Sequence, residues 1–318
     1  MSFSPSDVAN ACMEDWKPVW RAGVLEPVRA PTWESETLQS ITEEDVRRAL
    51  KRFQWRTGVG MCGWNPKDWE KLSDEGISSF TRVFNLFERS RTWPGTVLNT
   101  ILVRIPKPGR GHRLIGLLVT LFRVWGKVRR EYCQEWEDRN RKEYDYACKQ
   151  RGATGEMWDV ALLDECARKE KATTACWAAD LSKFYERIPH WRLLQCAKDE
   201  GFHPTIAWLA LQVYGGVRRI RVDQAFSEPA SVGQGIIAGC SLATTLVKVF
   251  MWKALDRAVK SFPMIKLRVY LDDLLLQWVG KLGKHRFVHV DQLVEAVKYY
   301  SEAIQIEWGG VVNREKLA

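Results

Sequence analysis

The sequence lacks the cysteine spacings that mark disulfide-rich and zinc-binding proteins. Its eight cysteines are scattered, and no two of them form a C-x-x-C pair. His285 and His289 stand four residues apart with no cysteine or third histidine nearby, which favours a surface role over a metal site. This cysteine usage predicts a reducing compartment, so we expect the protein inside the cell, in the nucleus or the cytoplasm.

Targeting and membrane signals are also missing. The first residues, MSFSPSDVANACMEDW, contain no basic segment followed by an apolar one, so no secretory signal is visible. The longest apolar stretch lies around residues 114–122 and is far too short to cross a bilayer. We therefore expect a protein that is not secreted and has no membrane partner; its protein partners are open.

The composition is that of a globular protein with an excess of positive charge. The 318 residues are 46% hydrophobic and 27% charged, which argues against general disorder and allows a sizeable core in two lobes. The formal net charge of +9 is compatible with a polyanionic partner. Sixteen tryptophans supply core residues and a few candidate stacking platforms.

The pattern along the chain divides it into three parts. Residues 1–40 carry four prolines and predict an irregular arm, whereas Thr42 with Asp45 resembles a capping box that opens a helix. Residues 41–170 read as helices, a glycine-rich loop at 56–66 and a strand–turn–strand unit. Residues 171–318 read as strand, helix, strand–turn–strand, helix, strand, which is typical of a ferredoxin-like split β-α-β sheet. The predicted fold class is α+β.

Two adjacent aspartates stand in the apolar segment RVYLDDLLLQWVG. Aspartate favours tight turns, so Asp272 and Asp273 can simply join two strands of a hairpin. The alternative is that the turn presents both carboxylates to a divalent metal. In the predicted sheet the end of the first strand lies beside this turn, so Asp180 is expected next to Asp272. Taken alone, Asp180 is better explained as a strand-end or helix-capping residue.

Three neighbouring carboxylates suit phosphoryl transfer. Two Mg²⁺ ions about 4 Å apart can activate an attacking hydroxyl and stabilise a leaving pyrophosphate, and Mg²⁺ prefers hard oxygen ligands. We expect Asp180 and Asp272 to bridge both ions, with Asp273 in support and with Mn²⁺ able to replace Mg²⁺.

Two basic segments fit the same chemistry. The turn IPKPGRGHR could close over a triphosphate with its cations, although a solvated hairpin tip is the simpler explanation; the cations are Lys107, Arg110 and Arg113. The segment GVRRIRV suits contacts with a phosphate backbone, and a charged edge strand explains it equally well; its arginines are Arg218, Arg219 and Arg221.

Six segments in order resemble the reverse transcriptase domain of non-LTR retroelements and group II introns. The segments are ILVRIPKPGRGHRLIGLL, QRGATGEMWDVALLDECARKE, AADLSKFYERIP, GIIAGCSLATTLVKVFM, YLDD and WGGVVNREKL. The resemblance covers roughly residues 55–318. Each segment is weak evidence alone, but six in this order with sensible spacing are strong. The resemblance implies a right-hand polymerase with fingers (41–170) and palm (171–318), interleaved in space.

The resemblance also implies roles for individual residues. Asp180, Asp272 and Asp273 take the metal-binding positions, and Lys107 and Arg113 take the positions that contact the incoming triphosphate. Tyr185 takes the position of the aromatic sugar gate, and Gly239 that of the glycine in the template-gripping motif. Lys316 takes the position of a late palm lysine that protonates pyrophosphate. Phe184, beside the gate, is expected in the core.

The chain departs from the family pattern at several points. Ungapped alignment places Ala238 where the family has glutamine, and Gln234-Gly235 looks like the motif but is displaced by four residues. Glu186 replaces the usual aspartate after the gate and is expected to be structural. No thumb, endonuclease or RNase H segment is visible, so we expect a fragment of a longer retroelement protein or a degenerate copy.

The resulting functional prediction is an RNA-directed DNA polymerase that uses an RNA template, a DNA or RNA primer and deoxynucleotides. One alternative is an RNA-dependent RNA polymerase, which shares the palm chemistry. The other is a non-catalytic nucleic-acid-binding remnant of such a domain.

Overall fold

The computed structural model describes residues 4–21, 28–107, 111–281, 290–306 and 311. Two compact units divide the chain: the first consists of Met1–Trp136 with Tyr185–Leu246, the second of Glu137–Phe184 with Val247–Ala318. Within the described ranges, the α-helices are α1 (Pro5–Arg21), α2 (Glu43–Lys51), α3 (Asp74–Ser90), α4 (Thr120–Val128), α5 (Arg130–Arg139), α6 (Ala153–Lys169), α7 (Phe184–Arg187), α8 (His190–Asp199), α9 (Pro204–Tyr214), α10 (Ala243–Ser261) and α11 (Val290–Ile306). The strands are β1 (Asn99–Pro106), β2 (His112–Leu117), β3 (Ala172–Asp180), β4 (Val217–Val222), β5 (Ala225–Phe226), β6 (Ile265–Tyr270) and β7 (Asp273–Lys281).

The first unit is built around a four-stranded sheet with the order β2-β1-β4-β5. β1 and β2 form an antiparallel hairpin, as the strand–turn–strand pattern predicts, and β4 lies parallel to β1. Helix α1 packs against β4 and β5. The core between them includes Met13 and Trp20 of α1 with Leu102, Leu114 and Ile220 of the sheet. The N-terminal helix is therefore part of the core of this unit.

The prediction of an irregular arm over residues 1–40 is wrong for Pro5–Arg21, which forms α1. Pro5 occupies the first helical position, where a backbone N–H would have no acceptor within the helix, so proline costs no hydrogen bond there. Pro18 lies inside the helix and costs about 3 kcal/mol there. Met13 and Trp20 are both fully buried, and burial of each large apolar side chain returns about 1.5–3 kcal/mol. Long-range packing thus outweighs the local proline signal.

The two helical signals that follow the arm are confirmed. Thr42 accepts a hydrogen bond from the Asp45 N–H, and the Asp45 carboxylate accepts one from the Thr42 N–H at 2.9 Å. These bonds form the predicted capping box of α2. The apolar residues spaced through 77–87 lie in α3 and include the buried Ile77 and Phe84.

The second unit contains an antiparallel sheet whose described strands have the order β3-β7-β6. Helices α6 and α11 both contact β3 and β7. A short segment joins the edge of β6, where the Val269 N–H donates to the Tyr144 carbonyl at 2.8 Å. The α+β fold with an antiparallel sheet backed by helices is confirmed. The predicted last strand, residues 306–312, falls mainly outside the described residues.

Of the helices in the described ranges, none combines the length and the apolarity that a bilayer crossing requires.

Candidate active site

The two aspartates of YLDD lie at a tight hairpin turn. Tyr270 pairs with Asp273 across β6 and β7, so Leu271 and Asp272 form a two-residue connection. Leu271 has φ = 57°, a left-handed conformation that costs a non-glycine residue about 1–3 kcal/mol. Strain of this kind persists where surrounding structure enforces it and clusters at functional sites. The turn is therefore a candidate functional element on geometric grounds alone.

Asp180 lies directly opposite Asp273 in the register of β3 and β7. Directly opposed residues share one face of a sheet, with Cβ atoms about 4.5–5.5 Å apart. The prediction that the end of the first strand adjoins the hairpin turn is confirmed, with Asp273 rather than Asp272 as the paired residue. Asp180 and Asp272 are half-buried, whereas Asp273 is exposed. The sheet thus places two carboxylates side by side and a third in the adjoining turn.

A fourth carboxylate from α6 belongs to the same neighbourhood. Glu156 lies in the first turn of that helix and is 8% exposed. Burial raises the pKa of the Glu156 carboxyl, and the negative charge of Asp273 raises this pKa further. This proximity has no signal in the sequence, because an acidic residue in the first turn of a helix is common.

Buried polar contacts hold α6 against the strands behind the turn. Arg268 Nη1 of β6 donates to Gln277 Oε1 of β7 at 2.7 Å, and Gln277 Nε2 donates to Asp164 Oδ1 of α6 at 2.8 Å. Gln277 has no exposed surface, so its amide depends on these partners. The contacts fix the helix and both strands of the hairpin relative to one another.

The chemistry of these donors fits a divalent cation, but their arrangement is not a closed cage. Carboxylate oxygens are the ligands that Mg²⁺ prefers, and it usually needs only one or two of them beside substrate phosphates. Among the described residues, no group of three or more histidines, cysteines, aspartates or glutamates is arranged to hold a metal ion. Metal binding by Asp180, Asp272 and Asp273 stays a prediction.

The basic hairpin has the predicted form. Arg113 pairs with Ile105 across β1 and β2, and the Lys107 N–H donates to the Gly111 carbonyl at 3.1 Å to close the turn. The side chains of Lys107 and Arg113 are exposed. Arg110 and Lys316 lie outside the described residues. Contact of these cations with a triphosphate stays a prediction.

The arginines of β4 divide between the two faces of the strand. Arg218 is 1% exposed, and its Nη1 donates to Glu186 Oε2 at 2.6 Å, so the prediction that Arg218 contacts phosphate is wrong. Side chains alternate along a strand, which places Arg218 with the buried Ile220. Arg219 and Arg221 lie on the other face and are half-buried. Of the three arginines of β4, Arg219 and Arg221 remain candidates for a contact with a phosphate backbone.

Glu186 is the centre of a buried polar cluster, in agreement with its expected structural role. Its Oε2 accepts hydrogen bonds from Trp20 Nε1 and from Arg218 Nη1, both at 2.6 Å. Arg218 Nη2 donates in turn to the Gly235 carbonyl at 2.8 Å, and its guanidinium lies 5.0 Å from the centre of the Trp20 ring. The cluster ties α1, β4 and the residue after Tyr185 together.

Gly235 packs closely against the segment that carries Tyr185. Gly235 has φ = 94°, and a Cβ there would lie 2.7 Å from the Glu186 carbonyl oxygen. The Ile236 N–H donates to the Tyr185 carbonyl at 2.8 Å. The ungapped alignment assigns the glycine of the template-gripping motif to Gly239, which also has a positive φ. At Gly235, however, the close approach of the Glu186 backbone leaves no room for a Cβ, so this position requires glycine. In the sequence, the displaced Gln234-Gly235 pair is the feature that points to Gly235.

The side chains of Gln234, Phe184 and Tyr185 differ in burial and in the residues that they contact. Gln234 is 4% exposed and donates to the Val19 carbonyl at 2.6 Å, so its amide faces α1. Phe184 is 2% exposed and contacts the ring of Phe250, which confirms it as a core residue. Tyr185 is half-buried. Its role as a sugar gate stays a prediction.

Comparison with known proteins adds three findings. A family model described as reverse transcriptase (RNA-dependent DNA polymerase) matches residues 105–317. Apo telomerase from Candida tropicalis truncated from its C-terminal domain has a TM-score of 0.51 at 15% identity, over 80% of this chain and 55% of that chain. Apo telomerase from the same organism has a TM-score of 0.52 at 15% identity, over 71% and 44%.

Among curated proteins, none matches this chain. At 15% identity, the likeness to the two solved structures shows the fold alone, and that fold agrees with the predicted fingers and palm. The chain spans about half the length of these structures.

Proposed function

The chain belongs to the reverse transcriptase (RNA-dependent DNA polymerase) family, and on this basis we propose that it adds deoxynucleotides to a primer 3′ end on an RNA template. The observation that carries the proposal is the pairing of Asp180 with Asp273 beside the strained hairpin turn, inside the matched residues. The six ordered segments favour the type found in non-LTR retroelements and group II introns, and we propose a retroelement origin.

The three aspartates have distinct proposed roles. Asp180 and Asp272 hold Mg²⁺, or Mn²⁺ in its place, and Asp273 supports them. Two bound ions would activate the primer hydroxyl and stabilise the leaving pyrophosphate. The strained Leu271–Asp272 turn supports this assignment, because it fixes the Asp272 backbone at the end of the sheet. A positioned carboxylate loses little entropy when it binds an ion.

The basic residues neutralise the charges of the substrates. Lys107 and Arg113 are exposed on one hairpin and contact the triphosphate of the incoming nucleotide. Lys316 takes the late palm position and protonates pyrophosphate. Arg219 and Arg221 contact the phosphates of the template or primer, and the net charge of +9 favours this polyanionic partner.

The direct test is primer extension on an RNA template with a DNA primer. We expect extension that requires deoxynucleotides and Mg²⁺ and stops when EDTA is added, because the carboxylates alone do not activate the primer hydroxyl. A reaction without template is the control. Tight binding of the template–primer without any extension would instead support the non-catalytic nucleic-acid-binding alternative.

An RNA-dependent RNA polymerase is the second candidate function, and Tyr185 separates the two. Its ring is proposed to occupy the space that a ribose 2′-hydroxyl needs. Forcing an extra atom into a packed site costs about 1–3 kcal/mol, or roughly one to two decades of discrimination. Tyr185→Ala should therefore raise ribonucleotide incorporation about 10- to 100-fold relative to deoxynucleotide incorporation, as measured by the two kcat/KM values.

Phe184→Ala is the matched control for Tyr185→Ala. Since Phe184 is buried, its truncation should lower the free energy of unfolding by about 3–5 kcal/mol without changing sugar selectivity. If the unmutated protein already prefers ribonucleotides, the reverse transcriptase proposal fails and the RNA polymerase takes its place.

A further inference from the structure

Residues 144–146 pair with the strand that leads into the turn of YLDD. The Val269 N–H donates to the Tyr144 carbonyl at 2.8 Å, and the Tyr146 N–H donates to the Val269 carbonyl at 2.9 Å. Both backbone polar groups of Val269 are therefore satisfied by this segment. Val269 is the penultimate residue of β6, so the segment supports the sheet directly beside the turn.

A buried ammonium group anchors this segment. Lys248 Nζ of α10 donates to Asp145 Oδ2 at 2.8 Å and to the Ala147 carbonyl at 2.7 Å. Its third acceptor is Glu137 Oε2 of α5, at 2.9 Å. The side chains of Lys248, Asp145 and Glu137 are each 4% exposed. An ammonium group has three N–H donors, so each donor of Lys248 has an acceptor and the group is held in place.

The tyrosines on either side of Asp145 hold the same segment. The Tyr144 hydroxyl donates to Asp256 Oδ1 of α10 at 2.7 Å, and the Tyr146 hydroxyl donates to Asp159 Oδ2 of α6. Both tyrosines are buried. The segment is thus fixed to two helices by its side chains and to β6 by its backbone.

The strained turn needs support of this kind. Leu271 has φ = 57°, and a residue keeps such a conformation only where the surrounding structure enforces it. β7 pairs with β6 on one side, and residues 144–146 pair with it on the other. Without the outer segment, β6 would be an edge strand of the described sheet, and its end would open more easily. The carboxylate of Asp272 would then be less well placed.

We infer that Asp145, anchored by Lys248, is a positioning residue for this turn. It holds the backbone of residues 144–146 against Val269 and thereby fixes Asp272 for metal binding. Because a displaced Asp145 would leave buried charge unpaired, the anchor resists movement. The inference rests on the proposed function, since it takes Asp272 as a metal ligand. Asp145 acts through the backbone and is not itself a proposed ligand.

The test compares two carboxylates that share one ammonium group. Asp145→Asn leaves a single acceptor oxygen for two donors, Lys248 Nζ and the Ala147 N–H, so it breaks the anchor at almost constant volume. It should raise the Kd for Mn²⁺, measured by electron paramagnetic resonance, about tenfold, as loss of a group that orients a metal ligand does. The kcat for primer extension should fall by a similar factor. KM for deoxynucleotides should stay unchanged, because the proposed triphosphate contacts lie on the basic hairpin.

Glu137→Gln is the matched control. It removes the other carboxylate from the same ammonium group, but Glu137 lies on α5, outside the segment that pairs with β6. Thermal unfolding should show a loss of stability in both variants, whereas Mn²⁺ affinity should fall only in Asp145→Asn. A merely structural role would make the two variants alike, and an equal loss of Mn²⁺ affinity in Glu137→Gln therefore overturns the inference.

Tyr144→Phe is a milder variant of the segment for the case that Asp145→Asn does not fold. It removes the bond to Asp256, which stays paired with Lys142 at 2.6 Å, so no buried charge is left alone. It should weaken Mn²⁺ binding in the same direction by a smaller factor. Unchanged Mn²⁺ affinity in every folded variant of the segment also overturns the inference.

Hydrogen exchange separates this inference from the proposed function. Measured in EDTA, exchange of the Val269 amide reports on the anchor without metal or nucleotide. It should be about tenfold faster in Asp145→Asn than in the unmutated protein, because the local opening becomes easier. If the unmutated protein neither extends a primer nor binds Mn²⁺, the proposed function fails, and the exchange of Val269 still decides whether Asp145 holds the turn. Equal exchange in the two proteins overturns the inference.

Discussion

Asp272→Asn is expected to lower primer extension by about 10³-fold or more, while the free energy of unfolding measured in EDTA stays nearly unchanged. The substitution removes the charge of a proposed metal ligand at almost constant volume. A metal supplies several kcal/mol of transition-state stabilisation, and each 1.36 kcal/mol is a factor of ten in rate. Asp180→Asn should have the same effect, because Asp180 is proposed to hold the same ions.

Single-turnover extension and metal-dependent melting test this expectation together. A ligand that binds only the folded protein raises its stability by RT ln(1 + [L]/Kd). Added Mg²⁺ should therefore raise the melting temperature of the unmutated protein and raise it less in both variants. Asp291→Asn is the matched control, since Asp291 is an exposed aspartate in the first turn of α11 of the same unit. It should retain both activity and the response to Mg²⁺.

Asp273→Asn adds a comparison that the strand register makes informative. Asp273 is the residue opposite Asp180, but it is exposed, whereas Asp272 is half-buried in the turn. We expect a smaller loss for Asp273→Asn than for Asp272→Asn. Full extension by Asp272→Asn would contradict the two-metal assignment, and a larger loss at Asp273 would transfer the ligand role to it.

The sequence allowed the sheet around the aspartates to be predicted because local patterns specify it. Alternating apolar residues define β6 and β7, and adjacent aspartates in an apolar run indicate a turn. The pattern predicts that Asp180 lies beside the turn at Asp272, and it does not predict that Asp273 is the residue directly opposite Asp180. Register depends on the exact length of the turn, and a two-residue connection at Leu271–Asp272 is not specified by composition.

The remaining features depend on contacts between distant parts of the chain. Arg218 and Arg219 look equivalent in GVRRIRV, and only Glu186, 32 residues away from Arg218, decides which of them is buried. Trp20 reaches the same carboxylate from 166 residues away. Lys248 of α10 likewise donates to a carboxylate of α5 that lies 111 residues away. No periodicity within a short window contains this information.

The buried cluster around Glu186 predicts a large effect on the free energy of unfolding. Glu186→Ala leaves the Arg218 guanidinium buried without its counter-charge, and breaking a buried ion pair in this way costs about 3–5 kcal/mol. That is a large fraction of the roughly 5–15 kcal/mol of a typical domain. Urea unfolding followed by tryptophan fluorescence measures the loss.

The unfolding experiment should be run at about pH 8 because of His190, which bonds to the same Gly235 carbonyl as Arg218. Burial lowers the pKa of His190 to about 4, from 6.5 in the unfolded chain. Because the unfolded chain binds this proton more readily, the stability associated with the neutral His190 is fully present above pH 6.5 and is lost as the pH falls towards 4. At pH 8 the folded and unfolded states both hold a neutral imidazole, so the measured loss belongs to Glu186.

Two further variants separate the buried pair from surface charge. Arg168→Ala breaks the exposed pair with Glu165, whose side chains are 76% and 45% exposed, and should cost less than about 1 kcal/mol. The double variant Glu186→Leu with Arg218→Met should recover most of the stability, because an apolar replacement leaves no unpaired charge behind. A loss for Glu186→Ala as small as that for Arg168→Ala would contradict the burial of the cluster. Failure of the double variant to recover would instead show that the bonds to Trp20 and Gly235 carry the stability, so that Glu186 fixes α1 in place through its hydrogen bonds more than through its charge.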